Sequence, residues 1–183
     1  MISLRDITLN DQDRIREWRN NPEVRKYMYT DHEISPAEHR AWFRRVLQDS
    51  TCKYWIIVSD GEDVGLLYLY DIDTRNRRCY WGFYTAAQSG RGKGIGSFAE
   101  FSVLRIVFED LQLQKLCGEV LATNQAVLNM HKKFGFAQEG LFRKHIFKSG
   151  SFADVVCIGM QREEWEANKP NIEIKLRSKG IVS

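Results

Sequence analysis

At 183 residues the chain is long enough for one domain with a substantial core that needs no disulfide staples. Its 43% hydrophobic and 28% charged residues are ordinary for a globular protein, and a net charge of +3 is too small to point to a nucleic-acid partner. No apolar run reaches the ~20 residues a membrane span needs. No signal-peptide pattern opens the sequence, so a cytoplasmic protein without a membrane partner is expected.

The basic clusters Arg75–Arg78 and Lys169–Lys179 read as a solvated turn and a solvated tail. Cys52, Cys79, Cys117 and Cys157 are widely spaced and form no Cys-x-x-Cys pair. That pattern predicts reduced thiols, no metal site and no cysteine nucleophile.

In chain order, Ile2–Leu9 alternates as a first strand, and Asn10 or Asp11 is placed to cap a helix carrying Ile15 and Trp18. That helix stops before Pro22, and a short helical piece follows around Glu23–Tyr29. Ser35-Pro-Ala-Glu38 is a helix start, with Ser as cap and Pro at the first helical position. The helix it opens carries Trp42, Phe43, Val46 and Leu47.

Lys53–Ser59 and Val64–Tyr70 read as a hairpin across the turn Asp60–Asp63, and Arg78–Thr85 as a third strand. A glycine-rich stretch follows, and from Ile95 to about Asp110 the apolar residues fall at helical spacing. Leu116–Thr123 reads as a strand, and Asn124 caps a helix ending at Gly135. Phe136–Lys148 and Phe152–Gln161 then close the fold as a hairpin. Residues 1–165 form one domain on this reading, and 166–183 a charged, weakly ordered tail.

The stretch QSGRGKGIGSFA at 88–99 sits between a strand and a helix. Glycines there let bare backbone approach a ligand, and helix N-terminal amides favour a diphosphate. No Lys-Ser/Thr follows a G-x-x-x-x-G frame, and Gly92-x-Gly94-x-Gly96 has the wrong spacing for a dinucleotide fingerprint. Arg91-Gly-Lys-Gly94-Ile-Gly96 resembles the coenzyme A motif of the GNAT superfamily of N-acetyltransferases. Downstream, Asn124-Gln-Ala126 and Lys132-Lys-Phe-Gly135-Phe136 resemble that family's second signature.

The resemblance implies an α/β (α+β) fold whose mixed, mostly antiparallel sheet of about seven strands splays between strands 4 and 5. It also implies direct acetyl transfer from acetyl-CoA to an amine, without a metal. A backbone amide within Phe83, Tyr84 and Thr85 would hold the thioester carbonyl. Arg91, Gly92, Lys93, Gly94, Ile95 and Gly96 would grip the pyrophosphate, and Asn124 the pantetheine side.

The family places a Tyr as general acid where this chain has His131, and Glu119 is the candidate base. Each of these has a plainer alternative: a core strand at 83–85, an N-cap at Asn124, a surface His131 and an outward-facing Glu119.

Trp18-Arg-Asn, Met28-Tyr29 and His39-x-x-Trp42 further resemble the UDP-sugar N-acetyltransferases of pseudaminic acid synthesis, which feed flagellin glycosylation. By that likeness Arg19, Met28, Tyr29, His39 and Trp42 line a nucleotide-sugar site, with Tyr68 and Tyr80 facing the reacting sugar. The alternatives are acetylation of ribosomal-protein N-termini or polyamines, and a non-catalytic acetyl-CoA-binding module. Segment 14–45 holds more basic than acidic residues, which disfavours a polyamine. An exposed sheet edge allows a homodimer.

Overall fold

The computed structural model describes residues 1–86 and 94–182. Seven strands build one sheet in the order β1-β2-β3-β4-β5-β7-β6. They are β1 (Ile2–Asp6), β2 (Lys53–Ser59), β3 (Glu62–Asp73), β4 (Arg78–Thr85), β5 (Lys115–Leu121), β6 (Ala137–Lys148) and β7 (Ser151–Gln161). Helices α1 (Gln12–Asn20), α2 (Pro22–Arg25) and α3 (Pro36–Val46) precede β2. Helix α4 (Ile95–Arg105) bridges β4 to β5, α5 (Gln125–Phe134) bridges β5 to β6, and α6 (Arg162–Arg177) ends the fold.

The local signals act as the sequence predicts. Ser35 accepts a hydrogen bond from the Glu38 amide at 3.2 Å. Gly135 ends α5 at φ 101°, a left-handed conformation that glycine adopts without strain. β1 stops at Asp6 rather than Leu9, because Leu9–Asp11 form a 3-10 turn pinned by Asp11. The Asp11 carboxylate accepts from Arg5 at 2.7 and 2.9 Å and from the Thr8 amide at 2.8 Å. α2 spans only Pro22–Arg25, shorter than the expected piece to Tyr29.

Alternation along the strands splits the core in two. Ile57, Leu67, Leu69 and Trp81 pack with α4, α5 and α6 on one face. Ile56, Leu66 and Tyr84 pack with Ile15 and Phe43 on the other.

Every neighbouring pair in the sheet is antiparallel except β4–β5, which is parallel. That pairing holds only from Arg78 opposite Lys115 to Tyr80 opposite Cys117, after which the strands part. A wedge therefore opens beside residues 81–85.

The expected tail is a helix instead. Within α6, Trp165 is 1% exposed and Leu176 4% exposed, both in the core. The charged residues of 162–177 lie on the outward side of an amphipathic helix, which a reading by composition mistakes for solvated chain. Among the described residues, no helix is long and apolar enough to cross a membrane.

Candidate active site

The wedge between β4 and β5 opens into a cavity of about 450 Å³. Its walls are Arg19 from α1, Met28 and Tyr29 after α2, Tyr68 and Tyr70 from β3, and Trp81–Phe83 from β4. Gly118–Leu121 from β5 and Asn124, Val127 and His131 close the other side.

The direction of the β4 amides follows from one bond. The Ala86 amide donates to the Val64 carbonyl at 2.9 Å, so Ala86 points its N–H at β3. Antiparallel pairing alternates, so Tyr84 and Gly82 also face β3, while Phe83 and Thr85 turn their N–H groups toward the wedge. Of the three residues expected to offer a backbone donor, Tyr84 is thereby excluded. Its ring instead lines a second cavity, where its hydroxyl is buried without a hydrogen-bond partner among the described residues.

Glycines keep this wedge narrow. A Cβ at Gly82 would lie 2.4 Å from the Tyr68 hydroxyl, so Tyr68 rests directly on the β4 backbone. A Cβ at Gly96, in the first turn of α4, would lie 3.0 Å from Met130 Sδ, so α4 and α5 approach closely there. Gly94 takes the N-cap position of α4 at φ 79°, a geometry that suits glycine. The amides of Ile95 and Gly96 in that first turn have no intrahelical acceptor. The expected pyrophosphate contacts at Arg91, Gly92 and Lys93 lie outside the described residues.

His131 is buried, not a surface residue, at 4% exposure. Its Nδ1 is 2.8 Å from Glu100 Oε1, and the rings of Trp81 and Phe136 each lie 5.3 Å from its own. With Nδ1 engaged, Nε2 is the nitrogen left for the cavity. Glu100 was not anticipated from sequence; its signal is a lone acid on the otherwise apolar inner face of α4, beside Ala99 and Val103.

Glu119 projects from β5 into the cavity, where its Oε2 accepts from the Tyr29 hydroxyl at 2.7 Å. Burial and that carboxylate raise the Tyr29 pKa, so Tyr29 stays a neutral donor. Asn124 makes no side-chain cap bond to α5 and lines the cavity.

A second cavity, of about 500 Å³, adjoins the first through the shared Arg19, Thr30, Tyr54 and Tyr68. His39, Trp42, Arg45 and Glu38 come from α3. Trp42 stands edge-on to Tyr54 with ring centres 5.6 Å apart, and Tyr54 stacks on Tyr68 at 5.5 Å. Tyr54 follows from the hairpin register, directly opposite Tyr68. Tyr80 lines neither cavity. It packs against Tyr70 and borders a shallow depression with Asp71, Asp73 and Arg78.

His39 is 3% exposed and both ring nitrogens lack a hydrogen-bond partner among the described residues. Burial first, then Arg16, lowers its pKa to about 4, so it is neutral at pH 7. The folded value is below the unfolded value of ~6.5, so its contribution to stability is present above that pH and fades as pH falls toward 4. We expect the melting temperature to drop between pH 6.5 and 5, and His39→Phe to flatten that slope. An unchanged slope in the variant would remove His39 as the cause.

The cap over the first cavity is tied down from across the sheet. Lys148 Nζ donates to the Arg25 and Thr30 carbonyls at 3.0 and 3.3 Å, and the Ser149 amide to Asp31 at 3.0 Å. The four cysteines are free, and burial pushes the Cys79 thiol up to about 12, away from nucleophile range. Among the described residues no group of three or more His, Cys, Asp or Glu side chains is placed to hold a metal ion.

Residues 2–137 match the family model described as the acetyltransferase (GNAT) domain. The chain belongs to the GNAT acetyltransferase family. This N-acetyltransferase is 35% identical over 130 residues to the prophage-derived N-acetyltransferase YokL of Bacillus subtilis, covering 70% of this chain and 72% of that protein. It is 29% identical over 139 residues to the acetyltransferase PseH of Campylobacter jejuni, covering 74% of this chain and 85% of that protein. Its fold is similar to the crystal structure of spermidine N-acetyltransferase from Vibrio cholerae in complex with CoA and spermine. The TM-score is 0.84 at 20% identity, over 90% of this chain and 98% of that one. The splayed seven-stranded sheet expected from the sequence is the GNAT fold.

Proposed function

We propose that this GNAT enzyme transfers an acetyl group from acetyl-CoA to the 4-amino group of a UDP-linked amino-dideoxy sugar, as in pseudaminic acid synthesis. The observation that carries the sugar acceptor is the second cavity. It joins the reaction cavity, and it offers Arg19 and Arg45 for phosphates and Trp42, Tyr54 and the neutral His39 for a flat base. Among the described residues Glu38 is its one acidic lining residue, too little negative charge for a polyamine with several ammonium groups. The 29% identity to the acetyltransferase PseH goes with this reading.

The residues present fit acetyl-CoA: first-turn amides of α4 without an intrahelical acceptor, amides of Phe83 and Thr85 facing the wedge, and Asn124 making no side-chain cap bond. Bound there, acetyl-CoA supplies an activated acyl group on a thiol leaving group. The Phe83 amide, which faces the wedge, would serve as donor to the acyl oxygen, and a backbone donor toward developing negative charge is worth ~3 kcal/mol. Glu119 takes the ammonium proton, and His131 supplies one from Nε2. No residue of the chain is acylated on this reading, so no side-chain nucleophile is called for.

The test is an acetyl-CoA-dependent thiol-release assay offering UDP-amino-sugar, spermidine and peptide in turn. Turnover is expected with the nucleotide sugar. Arg19→Ala should raise the KM of that acceptor ~tenfold, the loss of one charge-assisted contact, with the KM of acetyl-CoA unchanged. An unchanged acceptor KM, or preferential turnover of spermidine, overturns the reading.

A further inference from the structure

We infer that Glu100 is a positioning residue for His131, and that the two side chains hold one shared proton that the leaving sulfur receives. The inference rests on the acetyl-transfer reading for what the proton serves.

The geometry is specific. Glu100 lies on α4 at 0% exposure, and its Oε1 meets His131 Nδ1 at 2.8 Å. Its other oxygen, Oε2, is buried with no hydrogen-bond partner among the described residues. A full carboxylate half-abandoned in the core is costly, whereas the carbonyl of a neutral acid there costs less. Burial accordingly raises the Glu100 pKa, with His131 opposing. The helix wheel has paid for a polar residue here, since Ala99, Phe101, Val103 and Leu104 around it are all buried and apolar.

With one proton beyond the Glu carboxylate and the neutral ring, two arrangements exist. Either Oε1–H donates to Nδ1 and the neutral ring carries its hydrogen on Nε2, or the carboxylate accepts from Nδ1–H of a charged ring. Both leave an N–H at Nε2, the nitrogen toward the cavity. As the new C–N bond forms and the C–S bond breaks, sulfur keeps the C–S electron pair and takes the Nε2 proton. In the first arrangement the Oε1 proton moves to Nδ1. Both end as carboxylate, Nδ1–H and bare Nε2, one proton poorer, and solvent restores it. A ring without this partner has only its charged form to give.

The groups around the pair are few. Trp81 from β4 and Phe136 before β6 face the ring without titrating. Glu119 on β5, Arg19 on α1 and the hydroxyls of Tyr29, Tyr68 and Tyr70 share the cavity.

Two measurements on the full chain decide it. In histidine-labelled protein without ligands, the NMR resonance of His131 is identified by its loss in His131→Gln. The isosteric Glu100→Gln should lower the His131 midpoint by at least one pH unit, because burial then penalises a charged ring with no counter-charge. The alkaline limb of kcat should move down by the same amount. At pH 8 kcat should fall ~tenfold while the KM of acetyl-CoA holds, and in a His131→Gln background Glu100→Gln should cost nothing further.

If Glu100→Gln does not fold, the wild type still decides. The Glu100 carboxyl carbon and the His131 ring must follow one common midpoint, and independent titration overturns the inference. So does a Glu100→Gln variant that changes melting temperature but neither the midpoint nor the limb. A shifted midpoint with an unmoved kcat limb sinks instead the role given to His131 in acetyl transfer.

Discussion

Glu119→Gln is expected to lower kcat by about 10²- to 10³-fold while leaving both KM values within a factor of about three. The reasoning starts from the bond between Glu119 Oε2 and the Tyr29 hydroxyl at 2.7 Å. Gln keeps an oxygen for Tyr29 to donate to, so the cap over the cavity stays attached and binding survives. What is lost is basicity, and an amine acceptor arrives as an ammonium whose lone pair is occupied. The variant must wait for the small fraction of amine already deprotonated in solution. Its rate should therefore climb about tenfold per pH unit until the ammonium's own pKa is reached, and the deficit should shrink at alkaline pH. Tyr29→Phe is the control: it leaves the carboxylate and removes its tether, and a much smaller loss is expected. Wild-type kcat in Glu119→Gln at pH 7, from steady-state thiol release, would dismiss Glu119 as the base.

That site was partly legible before the structure, and the divide has a physical pattern. Glycines and caps act locally, so Ser35, Gly94 and Gly135 do what neighbouring residues in the chain dictate. Strand alternation likewise fixes which residues of β3 and β4 share a face. Contacts between distant segments carry no such mark. Glu119 reads in the chain as an acid among Leu116, Val120 and Leu121, and nothing nearby announces that Tyr29, ninety positions earlier, bonds to it.

The same holds for Glu100 and His131, which meet at 2.8 Å where α4 lies against α5, with Gly96 close to Met130. Tyr80 fails for the converse reason. It follows Tyr68 and Tyr70 in a row of aromatic rings, but β4 still pairs with β5 at that point, so the wedge has not yet opened beside it. Tyr84 fails through alternation by one residue, which turns its amide to β3.

Trp165→Ala is expected to destabilise the fold by about 3–5 kcal/mol, the cost of emptying a fully enclosed aromatic site. The indole is 1% exposed and touches Phe101 edge-on at 5.7 Å and Phe108 at 6.4 Å, so the void would lie between α6 and the inner face of α4 with no room to collapse. Urea unfolding measures the loss, and a value below about 1 kcal/mol would show that the site is not the enclosed one described. The consequence reaches the cofactor end as well. Beyond α6, Ile181 hydrogen-bonds back to the Leu176 carbonyl at 3.0 Å, and its side chain fills the space where Gly94 lacks a Cβ. The residue that caps α4 is thus packed from behind by the C-terminal segment. Loosening α6 should blur the aim of the first-turn amides, so Trp165→Ala should also weaken acetyl-CoA binding by calorimetry, at temperatures where the variant remains folded. A variant that loses stability but keeps full affinity would show that the α4 N-terminus holds its geometry without this support.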